Sequence, residues 1–154
     1  MKTRKLNFRR RGDGLIVVII LLAVIGIGTW WLFNHKKTLD RDARTFGRDM
    51  IQRLAVNHDV NYMVANLSPQ MKTQYPPSQV LVVTDLFNKA GVPQQPLNIE
   101  ENVTFESTFF EPHATFIAHL FYPTGAATLQ MAISHPVSRW QVDDMTFAME
   151  RPPH

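Results

Sequence analysis

A chain of 154 residues is sized for one ordinary domain, and with no cysteine it excludes both a disulfide framework and thiolate chemistry. Its formal charge of +3 is unevenly placed: Lys2, Arg4, Lys5, Arg9, Arg10 and Arg11 crowd the first 13 residues against Asp13 alone, while the segment from Asn34 onward carries 10 basic and 12 acidic side chains. That later segment is mildly acidic and has no run of clustered Lys and Arg, which disfavours nucleic acid as a partner.

The chain turns apolar at Gly14, and Leu15 to Phe33 holds 19 residues without a charge. At about 1.5 Å per residue such a helix spans roughly the hydrocarbon core of a bilayer. The sequence therefore predicts a basic cytoplasmic tail over 1–13, a transmembrane helix over 14–33 and an extracytoplasmic domain over 34–154. Orientation follows from the basic excess before the helix, since Lys36, Lys37 and Arg41 after it are offset by Asp40 and Asp42. The expected location is the inner (cytoplasmic) membrane, with the domain outside the cytoplasm, which is the periplasm if the cell is Gram-negative. Trp30 and Trp31 fall at the outer end, where amphipathic rings prefer the headgroup level. Gly26 and Gly28 also offer the small residues of a cleavable signal, but the apolar run continues through Trp30 to Phe33 without a polar region, favouring an anchor.

Beyond the anchor, Leu39, Ala43, Phe46, Met50, Ile51 and Leu54 recur at helical spacing, placing Arg44, Arg48, Asp49 and Arg53 on an outward, solvated face. Asp40 with Arg44 and Asp49 with Arg53 stand four apart, acid first, the favourable order for surface pairs. Asp59 caps a short helix carrying Val60, Met63, Val64 and Leu67, and Ser68 before Pro69 marks another helix start. Ser78 to Ala90 places Val80, Val83, Phe87 and Ala90 on one stripe, closed by Gly91 at a left-handed C-cap.

After Gly91 the periodicity changes from helical to alternating. A strand begins at Ile99 with Glu101, Val103, Phe105 and Ser107 on one parity; a second runs from Ala114 to Tyr122; Pro123 to Gly125 turns the chain; Leu129, Met131 and Ile133 return it; and Arg139 to Met149 is the last strand. In that strand Trp140 and Val142 share one parity while Met145, Phe147 and Met149 share the other, which a bulge around Asp143 and Asp144 reconciles. Helices followed by an antiparallel sheet imply an α+β class.

This order resembles the nuclear transport factor 2-like superfamily, which includes ketosteroid isomerase-like and exported, membrane-anchored bacterial proteins. The resemblance runs from about Leu39 to Met149 and rests on the passage Asn66-Leu67-Ser68-Pro69-Gln70-Met71-Lys72 and the closing Arg139-Trp140-Gln141-Val142-Asp143. It implies a cone-shaped domain of about three helices on a curved antiparallel sheet. Members include isomerases, dehydratases, ligand binders and scaffold components, so the fold leaves the function open.

The residues themselves offer little chemistry. Gly47, Gly91 and Gly125 build no phosphate loop, and no serine has the flanking glycines of a nucleophile elbow. His113 and His119 on one strand stand ~20 Å apart, too far to share an ion, and His58 and His135 read as turn or surface residues, so neither metal nor cofactor is expected. A cavity inside the cone would take its polar groups from Tyr62, His119, Tyr122, Trp140 and Asp143, although Trp140 suits a core plug better than a substrate platform. The isomerases' acidic base and oxyanion-binding acid have no evident counterparts here. The expected role is therefore binding or assembly in the cell envelope, with a protein partner or a second copy docking on apolar sheet edges at Phe105, Phe116 and Phe121; a pocket enzyme or a binder of a small apolar ligand is the alternative. Gly26 and Gly28 also allow the anchor to pack on another helix, without the four-residue spacing usually sought.

Overall fold

The structure is a computed structural model that describes residues 10–105, 111–136 and 138–150. The basic tail before Arg10 and the strand end expected at Ser107 lie outside the described residues. The chain divides into two compact units, 1–38 and 39–154.

Helix α1 is assigned over Arg10–Ala55, where the sequence pattern suggested two helices. Nothing between Phe33 and Leu39 breaks a helix: there is no Pro or Gly, and the Thr38 hydroxyl donates back to the Asn34 carbonyl at 3.1 Å. In the first unit the large apolar side chains from Leu15 to Phe33, Leu32 apart, stand 53–70% exposed on all sides of the helix.

In the second unit, α1 is amphipathic. Ala43, Met50, Ile51, Leu54 and Ala55 are buried at three- and four-residue spacing. Helix α2 (Val60–Asn66) is capped by Asp59, whose carboxylate accepts from Tyr62 N at 3.0 Å. Helix α3 (Pro69–Gln74) is capped by the Ser68 hydroxyl, which accepts from Met71 N at 3.2 Å, with Pro69 in its first turn. Helix α4 (Pro77–Ala90) ends at Gly91, whose φ of +85° is a conformation that side chains resist.

Four strands follow: β1 (Asn98–Phe105), β2 (Pro112–Tyr122), β3 (Gly125–Ser134) and β4 (Gln141–Met149). They form an antiparallel meander in the order β1-β2-β3-β4, so the domain is α+β with helices before sheet. The β2–β3 hairpin closes with Tyr122 opposite Gly125. The bulge in β4 falls where its two parities conflict: Ala132 pairs with Asp144 and Ile133 with Val142, leaving Asp143 as the extra residue.

One sheet face packs under the helices. Phe116, Leu120, Leu129, Met131, Ile133 and Val142 join Met50, Leu54, Met63, Leu67 and Phe87 in a single core. The other face carries Thr115, Phe121, Gln130 and Thr146 exposed. Gly47 has a packing reason: a methyl group there would overlap the Phe116 ring, so the glycine lets the helix backbone sit directly on that ring.

Candidate functional site

The five residues proposed for a common cavity are dispersed. Tyr62 lies under Arg53, whose guanidinium is 4.3 Å from the ring centroid. Desolvation and a hydrogen bond with Asp49 raise its pKa. His119 points to the open sheet face, its Nε2 3.6 Å from a Glu100 carboxylate oxygen. Trp140 stacks on Phe46 at 6.4 Å and meets the tilted His135 ring at 5.0 Å, on the wall of an open cleft of about 520 Å³ also lined by Asp42, Asp49 and Arg139. Asp143 accepts from the Gln141 amide at 3.1 Å beside the bulge.

Tyr122 alone enters the core. It is 6% exposed and sits 6.2 Å from the Phe147 ring, which in turn lies 4.8 Å from Phe87. Its hydroxyl has no hydrogen-bond partner among the described residues, and burial pushes its pKa up to about 12.

The docking residues also separate. Phe116 is fully buried, which corrects its placement on an exposed edge: β2 lies inside the sheet between β1 and β3, and Phe116 has the parity that faces the helices. Phe121 has the opposite parity and is 54% exposed. Phe105 is half-buried at the end of edge strand β1.

A different cluster unites helix and sheet. Glu101 has the inward parity of Ile99 and Val103, and its side chain is only 5% exposed. It accepts from Arg44 Nη1 at 2.9 Å and from Arg48 Nε, and Arg44 also holds Asp40 at 3.0 Å. Burial alone would raise the Glu101 pKa; hydrogen bonds from Arg48 and Arg44, then their charges, outweigh it and hold the carboxyl below its ordinary value. Arg44 and Arg48 keep the solvent exposure expected of them, 40% and 64%, but each also reaches an inward carboxylate that the helix pattern does not reveal. The signal was a glutamate among apolar residues of one strand parity. Asp49 with Arg53 remains a helix-surface pair, at 2.9 Å.

Beside this cluster lies an open cleft of about 550 Å³ between α1 and the start of β1, walled by Arg48, Gln52, Gln95, Leu97 and Ile99. The remaining described cleft, about 140 Å³, lies near His119 and Phe121. Each described cleft holds at most one of the five candidate cavity residues. His58 bridges elements: its Nε2 is 3.0 Å from the Gly91 carbonyl oxygen. Among the described residues no three His, Asp or Glu side chains converge as a metal-ligand set.

The charged groups brought together among the described residues join helix to sheet, as Arg44 and Arg48 do with Glu101, or lie along the helix, as Asp49 does with Arg53. No protein-family model, no characterised protein and no solved structure matches the chain.

Proposed function

We propose that the chain is a membrane-anchored binding or assembly module, its domain held outside the cytoplasm by the helix over 14–33. One observation carries this reading: 19 residues without a charge form a helix whose apolar side chains are exposed all round. A helix apolar on every side suits a lipid solvent, and the basic residues before it set the N-terminus in the cytoplasm. The domain then belongs with the nuclear transport factor 2-like folds, a reading supported by helices preceding an antiparallel sheet. Confinement to a membrane raises the effective concentration of a scaffold beside its partners, which is the gain an assembly module draws from an anchor.

Purification of the full-length chain from native membranes in mild detergent tests the role, and the expected result is a protein companion in fixed ratio. Orientation is tested with Lys72→Cys, which sits exposed on α3 in a chain that has no other thiol. A membrane-impermeant thiol reagent labels it in spheroplasts; labelling only after lysis overturns the outside placement.

A second reading draws on Tyr122. A hydroxyl buried without a partner ordinarily costs about 1–3 kcal/mol, and a small apolar ligand bearing one acceptor would satisfy it. Tyr122→Phe separates the two readings. With no ligand, removing the orphan oxygen raises stability by about 1 kcal/mol in a denaturant titration. A bound small molecule that co-purifies with the native chain and is lost from the variant brings the ligand reading forward.

A further inference from the structure

We infer that the cleft between helix α1 and the β3–β4 connection is a binding site for an uncharged, β-linked hexopyranose chain. This rests on the reading of the chain as an extracytoplasmic binding module and names its ligand.

Two elements build the cleft. Asp42, Phe46 and Asp49 stand at i, i+4 and i+7 on one face of α1, and the connection between β3 and β4 supplies His135, Ser138, Arg139 and Trp140. Its volume of about 520 Å³ lies within the about 300–1,000 Å³ of small-molecule sites, yet it is open, which suits a segment of a chain better than a single enclosed molecule. Trp140 is half-buried: the Phe46 ring, 26° from parallel, and the His135 ring take part of its surface, and the rest lines the cleft. Rings from both elements therefore hold the indole as an apolar platform.

The polar groups around that platform select the ligand. Asp42 is half-exposed, 3.8 Å from its neighbour Arg41, and Arg139 is exposed with no ion pair among the described residues. Asp49, held by Arg53 at 2.9 Å, is a second fixed carboxylate. A cation bound here would face Arg139 and an anion would face Asp42 and Asp49, so a net charge of either sign is disfavoured. A carboxylate only accepts hydrogen bonds and a guanidinium only donates them, so the complement must do both at neighbouring atoms, as hydroxyls do. A β-linked hexopyranose meets these demands in one molecule, with hydroxyls around its edge and a face of C–H groups that lies flat on the indole. A proline-rich peptide offers a similar apolar face, but its prolines have no N–H and leave Asp42 without a donor.

The cleft carries its own reporter, because Trp30→Phe with Trp31→Phe leaves Trp140 as the one tryptophan of the full-length chain. Purified in a polyoxyethylene detergent, which carries no sugar, that chain is titrated with the β-1,4 tetramers of glucose and of N-acetylglucosamine. The expected result is a saturable change in Trp140 fluorescence with a Kd of about 1 mM or below for at least one of them. Asp42→Asn and Arg139→Gln, both outside the core, each weaken it about tenfold while the unfolding midpoint of the domain holds. No saturable change by about 10 mM with either tetramer overturns the inference, as do affinities unaltered in both variants. A response to a proline decamer in place of the sugars also overturns it and gives the cleft to a peptide. If the sugars fail while the chain still co-purifies with a protein companion, the module reading stands and only the saccharide falls; sugar binding by a chain without a companion keeps the site and removes the assembly role.

Discussion

Helix α1 contains two stretches of one secondary structure that obey different rules. From Leu15 to Phe33 the apolar side chains cover every side and stand exposed, while from Leu39 to Ala55 the buried residues form one stripe and the charged residues keep to the rest. Helical propensity does not distinguish them. The distribution of polarity around the axis does: the first stretch is long and apolar enough to cross a membrane, and the second carries the one-sided stripe of a helix packed on a core.

The largest test breaks the first stretch alone. Leu21→Asp with Val24→Asp puts two charges near its middle, at about 2.5–3.5 kcal/mol of insertion free energy each, or about 5–7 kcal/mol together. The chain is expected to leave the alkaline-carbonate membrane pellet, while the unfolding midpoint of the domain stays unchanged. Retention in the pellet, or a domain that melts with the anchor, would erase the contrast between the stretches.

A somewhat smaller effect is expected in the second stretch. Arg44→Ala with Arg48→Ala strands Glu101 as a buried, unpaired carboxylate, a change of about 3–5 kcal/mol in domain stability by denaturant titration. The pH dependence sharpens it. In the native chain the Glu101 pKa is depressed below the unfolded value of 4.5, so its contribution is present above pH 4.5 and is lost as pH falls through the folded value. In the double variant burial acts alone and raises that pKa, so protonation of Glu101 favours folding instead. Opposite acid slopes for the two proteins are the expected observation.

Gly47→Ala comes next. Alanine improves helix propensity by about 1 kcal/mol, but its methyl overlaps the buried ring of Phe116, and overpacking of that kind costs about 1–3 kcal/mol. A net loss of up to about 2 kcal/mol is expected from the urea midpoint, whereas a gain would mean that the helix lifts off β2 freely.

These tests also mark what was legible in the sequence. The charge-free run, the caps at Asp59 and Ser68, the Gly91 stop, the four strands and the bulge at Asp143 all follow from local patterns, and the structure has each of them. The partners of inward groups were not local. Arg44 and Glu101 are 57 residues apart, so helix periodicity alone reads the arginine as solvated. Phe116 was misplaced for a related reason: alternation tells which residues share a face, but only the strand order tells that β2 is interior. The five-residue cavity failed on the same point, since Tyr62, His119, Tyr122, Trp140 and Asp143 belong to different faces and elements.

The smallest expected effect asks whether the charges of the second stretch act separately. Asp40 and Arg44 are 38% and 40% exposed, and their contact at 3.0 Å is a helix-surface pair. Such pairs contribute about 0.3–0.5 kcal/mol and are screened by salt. In Asp40→Asn the amide oxygen still accepts from Arg44, and Arg44 keeps Glu101 through Nη1. The variant is therefore expected to lose only a few tenths of a kcal/mol, and nothing measurable at about 1 M salt, where the Debye length is about 3 Å. If the loss instead exceeds about 1 kcal/mol, the exposed pair and the buried one are coupled. Asp40 then acts by orienting the guanidinium that Glu101 needs, and the solvated face of this helix is part of its sheet contact.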